Sequence, residues 1–387
     1  MLLTDTFFVH FEKLEDPRKQ NHHLKHSLTD IIALSILGSI CGANTMVEIC
    51  EYAEANHDWL KSFLELKNGI PSHDTFERVF ARINPILFEE CFRNWIQSLD
   101  LSQDGPFKKV IAIDGKTSRG SGCQTKDIKP IHTVAAWASS HQLMLGQVKT
   151  AEKSNEITAI PELLDKIDIQ DSIITLDAMG CQTKIQQKII DKQADYVVTV
   201  KGNQKGLEKE IKALFAHGDS IQYKKIYNRH KIEKVRDRSR IETRKYSLVR
   251  LRDCPEFEER WPGLQSIGRL IVKRTENHET TESTRYFVTS LVYDDIDNFM
   301  RSARKHWDIE INLHWSLDVS FREDANKMRV GFSAENVGLI RRIALNLLKQ
   351  EKTHKRGVES RRKRAGWDRD YLWKVLTADQ VLIESTI

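Results

Sequence analysis

The stretch Lys109–Lys116, "KVIAIDGK", is a short apolar run that ends on a carboxylate. The β-branched residues before Asp114 predict a buried strand, so this aspartate should emerge where the strand ends. The same pattern returns in Ser172–Gly180, "SIITLDAMG", whose apolar part ends on Asp177. If the two strands are neighbours in one sheet, their carboxylates converge. Two like charges at close range repel each other unless a cation neutralises them.

The segments around these strands alternate between strand and helix patterns. "HTVAAWASS" and "LMLGQVKT" predict a hairpin after the first strand, and "AIPELLDKI" predicts a helix that begins at its proline. The second strand is followed by a helix, "TKIQQKIIDKQ", and by another strand, "ADYVVTVKG". This order predicts an α/β fold with a ribonuclease-H-like core, in which helices flank both faces of a mixed sheet.

Three regions are predicted along the 387 residues. Residues 1–101 show helical spacing and predict a small all-helical domain, followed by the linker Ser102–Pro106. Residues 107–350 form the α/β domain, with a β-rich insertion at about 206–291. Residues 351–387 form a basic C-terminal tail. We find no leader peptide and no run of 18 apolar residues, so we expect no membrane partner.

Positive charge is concentrated in two places, although the net charge is only +5. Tyr223–Arg252 contains twelve Lys or Arg and three acids, and Lys352–Arg369 contains eight against two. Basic blocks of this kind suit contact with phosphates, but each taken alone is also typical of a solvated surface.

A third acid would complete a metal site with the two aspartates. A long helix is predicted to begin near Asp295, and one of its faces carries an apolar stripe of Ile309, Leu313 and Leu317. Glu310 lies at the edge of this stripe, Asp308 lies opposite, and Asp318 lies about 80° from Glu310 around the helix. Spacing therefore favours Glu310 and leaves Asp318 as its rival. Oxygen ligands of this kind suit Mg²⁺ or Mn²⁺.

Two other patterns on this helix have simpler interpretations. His306 and His314 flank Glu310, but they are eight residues apart, whereas histidines that bind zinc on a helix are usually four apart. Trp307, Ile311 and Trp315 share one face. We expect this face to pack in the core, with stacking on DNA bases as the alternative.

The chain resembles the ISAs-type insertion-sequence transposases, a family of the DDE superfamily that includes the H-repeat-associated proteins. The resemblance rests on motifs in the family's order: "GIPSHDTFERVFARI", "IAIDGKTSRGS", "AEKSNEITAIPELL", "TLDAMGCQTKI", "DYVVTVKGNQ", "HWDIEINLHWSLDVSFRED" and "AENVGLIRRIALNLL". It implies that Asp114, Asp177 and Glu310 are the catalytic acids and that they hold two Mg²⁺ ions, for which Mn²⁺ can substitute.

The resemblance also implies the partners. These are double-stranded DNA with terminal inverted repeats and target DNA. Because two ends must be joined, we also expect a second copy of the chain, in a homodimer on DNA. The all-helical N-terminal domain would bind the DNA ends, and the protein would be cytoplasmic and associated with the bacterial nucleoid. The residues that we expect to contact DNA are Lys116, Lys201, Asn203, Arg240, Arg244, Arg304, His306, Trp307, His314 and Arg322.

Two positions depart from the family pattern. The family usually has Asn directly after the catalytic Glu, where this chain has Ile311, and the insertion motif H-G-R-x-E-x-R reads "RSRIETR" here. Two alternatives therefore stay open. The first is a decayed transposase that binds repeats without cutting, and the second is a ribonuclease-H-type nuclease that performs no strand transfer.

Overall fold

The computed structural model describes residues 7–18, 24–99, 107–151, 155–218, 228–237, 240–250 and 260–378. The linker predicted at 102–106 and the first two residues of "RSRIETR" lie outside these ranges. No helix within them is long and apolar enough to span a membrane.

A nine-stranded sheet forms the centre of the molecule, in the order β3-β2-β1-β4-β5-β9-β8-β7-β6. The strands are β1 (Lys109–Ser118), β2 (Ile131–Ala138), β3 (Leu143–Lys149), β4 (Ser172–Leu176), β5 (Asp195–Val200), β6 (Asn228–Asp237), β7 (Arg240–Arg250), β8 (Ser266–Glu276) and β9 (Glu279–Thr289). Strands β1, β4 and β5 are parallel, and all the other pairs are antiparallel. The first five strands confirm the order predicted for a ribonuclease-H-like core.

Helices before the sheet form the N-terminal part of the fold. They are α1 (Leu28–Ile40), α2 (Met46–Ala55), α3 (His57–Leu60), α4 (His73–Phe80) and α5 (Pro85–Gln97). Side-chain caps fix where two of them begin: Ser27 accepts from the Asp30 amide, and Thr45 forms a reciprocal capping box with Glu48. Because almost every residue of α1 is buried, this helix is a core element.

Two helices flank the strand β4 in the chain: α6 (Glu156–Lys166) follows β3 and leads into β4, and α7 (Thr183–Asp191) connects β4 to its parallel neighbour β5. The prediction that α6 begins at its proline was wrong, because Pro161 lies inside the helix. The side chain of Asn155 accepts a hydrogen bond from the Ile157 amide, and this cap starts the helix at Glu156.

The long helix predicted from Asp295 is interrupted. Helix α9 (Ile296–Lys305) is followed by a π-helical turn, Ile309–His314, and by the short helix α10 (Trp315–Val319). π-Helical turns are rare and occur often at functional sites. Glu310 lies within this turn, so its direction differs from that in a regular α-helix.

The N-terminal helices, one side of the sheet and the C-terminal helices share one hydrophobic core. Helix α11 (Ser333–Gln350) contacts α1, and the Asn336 amide group donates to the carbonyls of Phe80 and Ile83 at 2.7 and 2.9 Å. Beyond α11 the chain forms α12 (Val358–Trp367) and α13 (Arg369–Leu376). Arg362 of α12 is buried and donates to the Ser39 carbonyl, so this member of the basic block serves the fold.

The described residues of the predicted insertion include the helix α8 (Lys205–Gly218) and the strands β6 to β9. Strand β9 pairs with β5, so the insertion extends the central sheet and does not form a separate one. Tyr246, Leu270, Phe287 and Phe299 make a second, smaller core where α9 packs on this extension.

Candidate active site

The register of two parallel strands brings Asp114 and Asp177 together. Ile113 of β1 pairs with Leu176 of β4, and each of these residues is followed directly by one of the aspartates. Oδ1 of Asp177 accepts hydrogen bonds from the amides of Met179 and Gly180, at 2.8 and 3.3 Å. The turn after β4 thus fixes the direction of the second carboxylate.

The π-helical turn supplies two further groups. A carboxylate oxygen of Asp114, one of Glu310 and a ring nitrogen of His314 all lie within 4.8 Å of one another. Nδ1 of His314 is 3.6 Å from Oδ2 of Asp114 and 4.0 Å from Oε2 of Glu310. The turn contacts β1 directly, so the cluster is built from both elements.

The other two acids considered for the third position lie elsewhere. Asp318 forms an ion pair with Lys116 at 2.6 Å, and Asp308 lines a different cleft beside Trp307. Glu310 is 53% exposed and open to an incoming substrate. The geometry therefore favours Glu310 over its rival, Asp318.

The cluster places its negative charges close together. Burial, and then the charge of Glu310, raise the pKa of the Asp114 carboxyl to about 8. Burial, and then the charge of Glu156, raise the pKa of Asp177, although its backbone hydrogen bonds act in the opposite direction. Burial, and then the charges of Lys116 and Arg342, lower the pKa of His314 to about 3. This histidine is therefore neutral near pH 7.

These residues fit a divalent cation. Carboxylate oxygens are hard ligands for Mg²⁺ or Mn²⁺, and a cation would relieve the repulsion that raises the pKa of Asp114. Nε2 of His314 is buried and has no hydrogen-bond partner among the described residues. The other ring nitrogen, Nδ1, faces Asp114, and in the tautomer that carries its proton on Nε2 this nitrogen can bind a metal ion.

Comparison with family models covers most of the chain. Residues 105–347 match the transposase DDE domain, and residues 8–96 match the DDE_Tnp_1-associated region. The chain belongs to the DDE transposase family. The resemblance stated from the motifs is thereby confirmed.

Similar proteins carry names consistent with this DDE transposase family. "Putative transposase YncI" of Escherichia coli O157:H7 is 39% identical over 93% of this chain and 92% of its own length. "H repeat-associated putative transposase YhhI" of Escherichia coli strain K12 is 38% identical over 92% and 94%. A solved piggyBac transposase synaptic complex with hairpin DNA aligns over 98% of this chain and 78% of that chain, at 11% identity and a TM-score of 0.41. That similarity is too weak to support conclusions about function.

Lys116 does not lie where a phosphate contact would place it in this DDE transposase. It is 7% exposed, and its ammonium group is surrounded by the carboxylates of Asp318, Glu323 and Asp324, at 2.6, 3.6 and 3.7 Å. A buried ammonium that is already neutralised has no free donor to offer DNA. Its position is that of a residue that holds the fold around the site.

The two histidines also have partners inside the protein. His314 is buried in the acidic cluster, and Nδ1 of His306 lies 3.1 Å from Oγ1 of Thr175. Burial, and then the charges of Lys201 and Arg285, lower the pKa of His306 to about 4. Direct DNA contact does not suit either ring.

The loop after β5 keeps its predicted place beside the second aspartate. The positive charge of Lys201 partly offsets the rise in the pKa of Asp177, and the side-chain amide of Asn203 donates to the Ala178 carbonyl at 2.5 Å. Lys201 is exposed, whereas Asn203 holds the loop that carries Asp177. Arg322 is exposed and has a left-handed backbone, with φ at 50°.

An arginine groove of about 650 Å³ lies between the sheet extension and the segment Ala303–Ile311, which includes Glu310. Its arginines are Arg240, Arg244, Arg274, Arg285 and Arg304. The alternation of the strand places Arg240, Glu242 and Arg244 on one face of β7, which explains the spacing of R-x-E-x-R. Buried Glu242 pairs with Arg240, with Arg244 at 2.6 Å and with Arg274 at 3.5 Å, and it thereby aligns them.

The prediction that Trp307, Ile311 and Trp315 pack in the core was wrong. They are 42%, 61% and 58% exposed. Trp307 and Ile311 line the arginine groove, and the guanidinium of Arg285 lies 4.4 Å from the centre of the Trp307 ring. The alternative weighed for this face, contact with DNA bases, is consistent with its exposure.

Sequence reasoning missed one acidic residue beside the cluster. Glu156 occurs within a family motif, but its spacing to Asp114 and Asp177 in the sequence does not identify it as a site residue. Its carboxylate lies next to Gly115 and is hydrogen-bonded to the ring of His132, with 2.9 Å between Oε1 and Nε2. Only contacts in the folded chain show that Glu156 lies beside the cluster.

Proposed function

We propose that this member of the DDE transposase family cuts DNA at the ends of an insertion sequence and joins the freed ends to target DNA. Asp114, Asp177 and Glu310 are the catalytic acids. The observation that carries the proposal is the convergence of Asp114 and Glu310 with His314, next to the parallel pair Asp114 and Asp177.

The acids are the residues that would hold two Mg²⁺ ions, or Mn²⁺ in their place. When bound, such ions activate a water or a 3′-hydroxyl for attack and stabilise the departing oxygen of the phosphodiester. Asp177 is oriented by its turn, Glu310 is open to the substrate, and neutral His314 faces Asp114 from below the surface. No covalent link between protein and DNA is required.

The arginine groove supports a path for DNA towards these acids. Asp308 and Ile311, which flank Glu310, both line it, so DNA held there would lie beside the catalytic helix. Arginine guanidinium groups bind phosphates in pairs of hydrogen bonds, and an exposed tryptophan can stack on a base. Arg240, Arg244, Arg304 and Trp307 are the contacts we propose here, with Lys201 and Arg322 at the rim of the site.

The proposed partners are the terminal inverted repeats of the element, its target DNA and a second copy of the chain, since two ends must be joined. We assign contact with the ends to the helical region 1–101, catalysis to 107–350 with its insertion at about 206–291, and an accessory role to 351–387. Activity on chromosomal DNA would place the protein in the cytoplasm, at the nucleoid.

Cleavage of labelled DNA that carries the element's own flanking repeats tests the proposal, with Mg²⁺ or Mn²⁺ present. We expect end-specific cutting by the wild type and none by Glu310→Gln. Glu359→Gln is the matched control, because that side chain is 52% exposed and lies on α12. Specific binding without cutting by the wild type would instead indicate a repeat-binding remnant. Cutting that ignores the repeats and yields no joined product would indicate a nuclease.

A further inference from the structure

Glu156 is an acidic residue placed at the start of a capped helix. The Asn155 side chain accepts from the Ile157 amide at 3.0 Å, so α6 begins at Glu156 and the position of its backbone is fixed. In sequence it lies between Asp114 and Asp177, and in the fold its helix packs on β2 and β3.

The carboxylate of Glu156 packs directly against the backbone next to Asp114. A Cβ atom added to Gly115 would lie 2.6 Å from Cδ of Glu156, closer still to Oε1, and 2.6 Å from Nε2 of His132. Real Cβ atoms essentially never approach other atoms so closely. The glycine of "IDGK" therefore makes room for a carboxylate beside the first catalytic acid.

A second pair of contacts holds this carboxylate in place. Nε2 of His132 lies 2.9 Å from Oε1 of Glu156, and Nδ1 of the same ring lies 2.8 Å from Oγ1 of Thr117. Thr117 and His132 are register partners of β1 and β2. His132 thus orients Oε1 of Glu156. No hydrogen bond from the described residues reaches Oε2, so this oxygen is available to a cation.

Glu156 lies against the residue that follows Asp114. The ligand atoms of Asp114, Glu310 and His314 lie within 4.8 Å of one another, and the Glu156 carboxylate approaches the same strand at Gly115. Its side chain is mostly buried. Carboxylates gathered at one strand end repel each other, and a cation among them would remove that repulsion.

We infer that Glu156 is a fourth carboxylate of the metal site, held next to Gly115 by the chain Thr117–His132–Glu156, while Glu310 approaches Asp114 from the π-helical turn. The inference rests on the proposed function, since it assigns a further ligand to the same catalytic centre. His132 is a positioning residue, because it holds the Glu156 carboxylate. Position 115 requires glycine, because a larger side chain there would collide with that carboxylate.

Metal binding measured apart from activity tests the inference. Mn²⁺ is titrated calorimetrically into the wild type, Glu156→Gln, Gly115→Ala and the control Glu162→Gln, whose exposed side chain lies on the same helix and pairs with Lys166. Glu156→Gln keeps the size of the side chain and a group that can bond to His132. Gly115→Ala keeps the charge and displaces it.

We expect both Glu156→Gln and Gly115→Ala to lose Mn²⁺ affinity by about 10- to 100-fold. Circular dichroism should show native spectra, and Glu162→Gln should bind like the wild type. Equal Mn²⁺ binding by Glu156→Gln and Glu162→Gln would overturn the inference, even if the wild type cuts DNA. If the wild type binds Mn²⁺ but never cuts, the proposed function fails, while the loss of binding in Glu156→Gln still supports the fourth carboxylate.

Discussion

The ammonium group of Lys116 lies 2.6 Å from Oδ1 of Asp318 and so joins the strand of Asp114 to the helix that follows Glu310. Glu323 and Asp324 approach the same nitrogen, at 3.6 and 3.7 Å. One buried cation thus lies among three carboxylates, and Arg342 also pairs with Glu323, at 2.6 Å. This group of charges therefore connects the strand of Asp114 to the segment that carries Glu310 and His314.

Replacing Lys116 by Met should destabilise the fold strongly. Breaking a buried ion pair by removal of one partner typically costs about 3–5 kcal/mol, because the remaining charges stay buried. Asp318→Asn should cost less, since Lys116 keeps its other two carboxylates. Urea unfolding of the metal-free proteins measures both free energies.

Asp318→Asn also separates the two acids considered for catalysis. We expect it to keep DNA cutting at a temperature where it is folded, in contrast to Glu310→Gln. Loss of cutting by a folded Asp318→Asn protein, with activity retained in Glu310→Gln, would make Asp318 the third acid.

The raised pKa of Asp114 predicts an unusual pH dependence of stability. Without metal, the folded chain keeps a proton on this carboxyl up to about pH 8, whereas the unfolded chain releases it near pH 4. Unfolding therefore releases a proton, and the free energy of unfolding falls as pH rises, by up to about 1.4 kcal/mol per unit. Asp114→Asn should remove this slope.

The window from pH 6.5 to 8 gives the clearest comparison. Below pH 6.5 the histidines His306 and His314 take up protons on unfolding, because their pKa values are lowered in the folded chain. In that range they make the free energy of unfolding rise with pH, which opposes the effect of Asp114. Asp165→Asn, a change at an exposed acid, is the control and should keep the wild-type slope. Parallel curves for the wild type and Asp114→Asn in this window would contradict the raised pKa.

The strand order and the two aspartates could be predicted from sequence because the information is local. An apolar run ending on a charge marks the end of a buried strand, and parallel neighbours place such ends together. The observed register of Ile113 with Leu176 realises that arrangement. Family motifs were needed to choose Glu310, since its direction depends on a π-helical turn that a regular helical wheel does not contain.

Other features depend on contacts between distant parts of the chain. Lys116 has the sequence setting of a loop cation, but its main partner lies 202 residues away. Glu156 reaches the site only because α6 packs on β2 and because Gly115 leaves space. Trp307 and Ile311 have the spacing of core residues, and only the sheet extension determines that they line a groove.

Trp307→Ala should weaken binding of DNA ends. Stacking of a base on an aromatic side chain is worth about 1–3 kcal/mol, which corresponds to a loss of about 5- to 150-fold in affinity. Fluorescence anisotropy with labelled end DNA, without metal, measures the change. Trp367→Ala is the control, because that ring is 81% exposed but lies on α12. Equal losses in the two variants would mean that the groove is not the DNA path.

Arg274→Gln should reduce the salt dependence of DNA binding. Each phosphate neutralised contributes about 0.9 to the slope of log affinity against log salt, so the loss of one contact should lower the slope by about one. Lys273→Gln is a matched control, since Lys273 is the preceding residue on β8, outside the arginine groove, and pairs with Glu282 at 2.9 Å. We expect this control to keep the wild-type slope. A slope that drops equally in both variants would show that charge on this hairpin acts at a distance, and the groove would then not be the site where the phosphates lie.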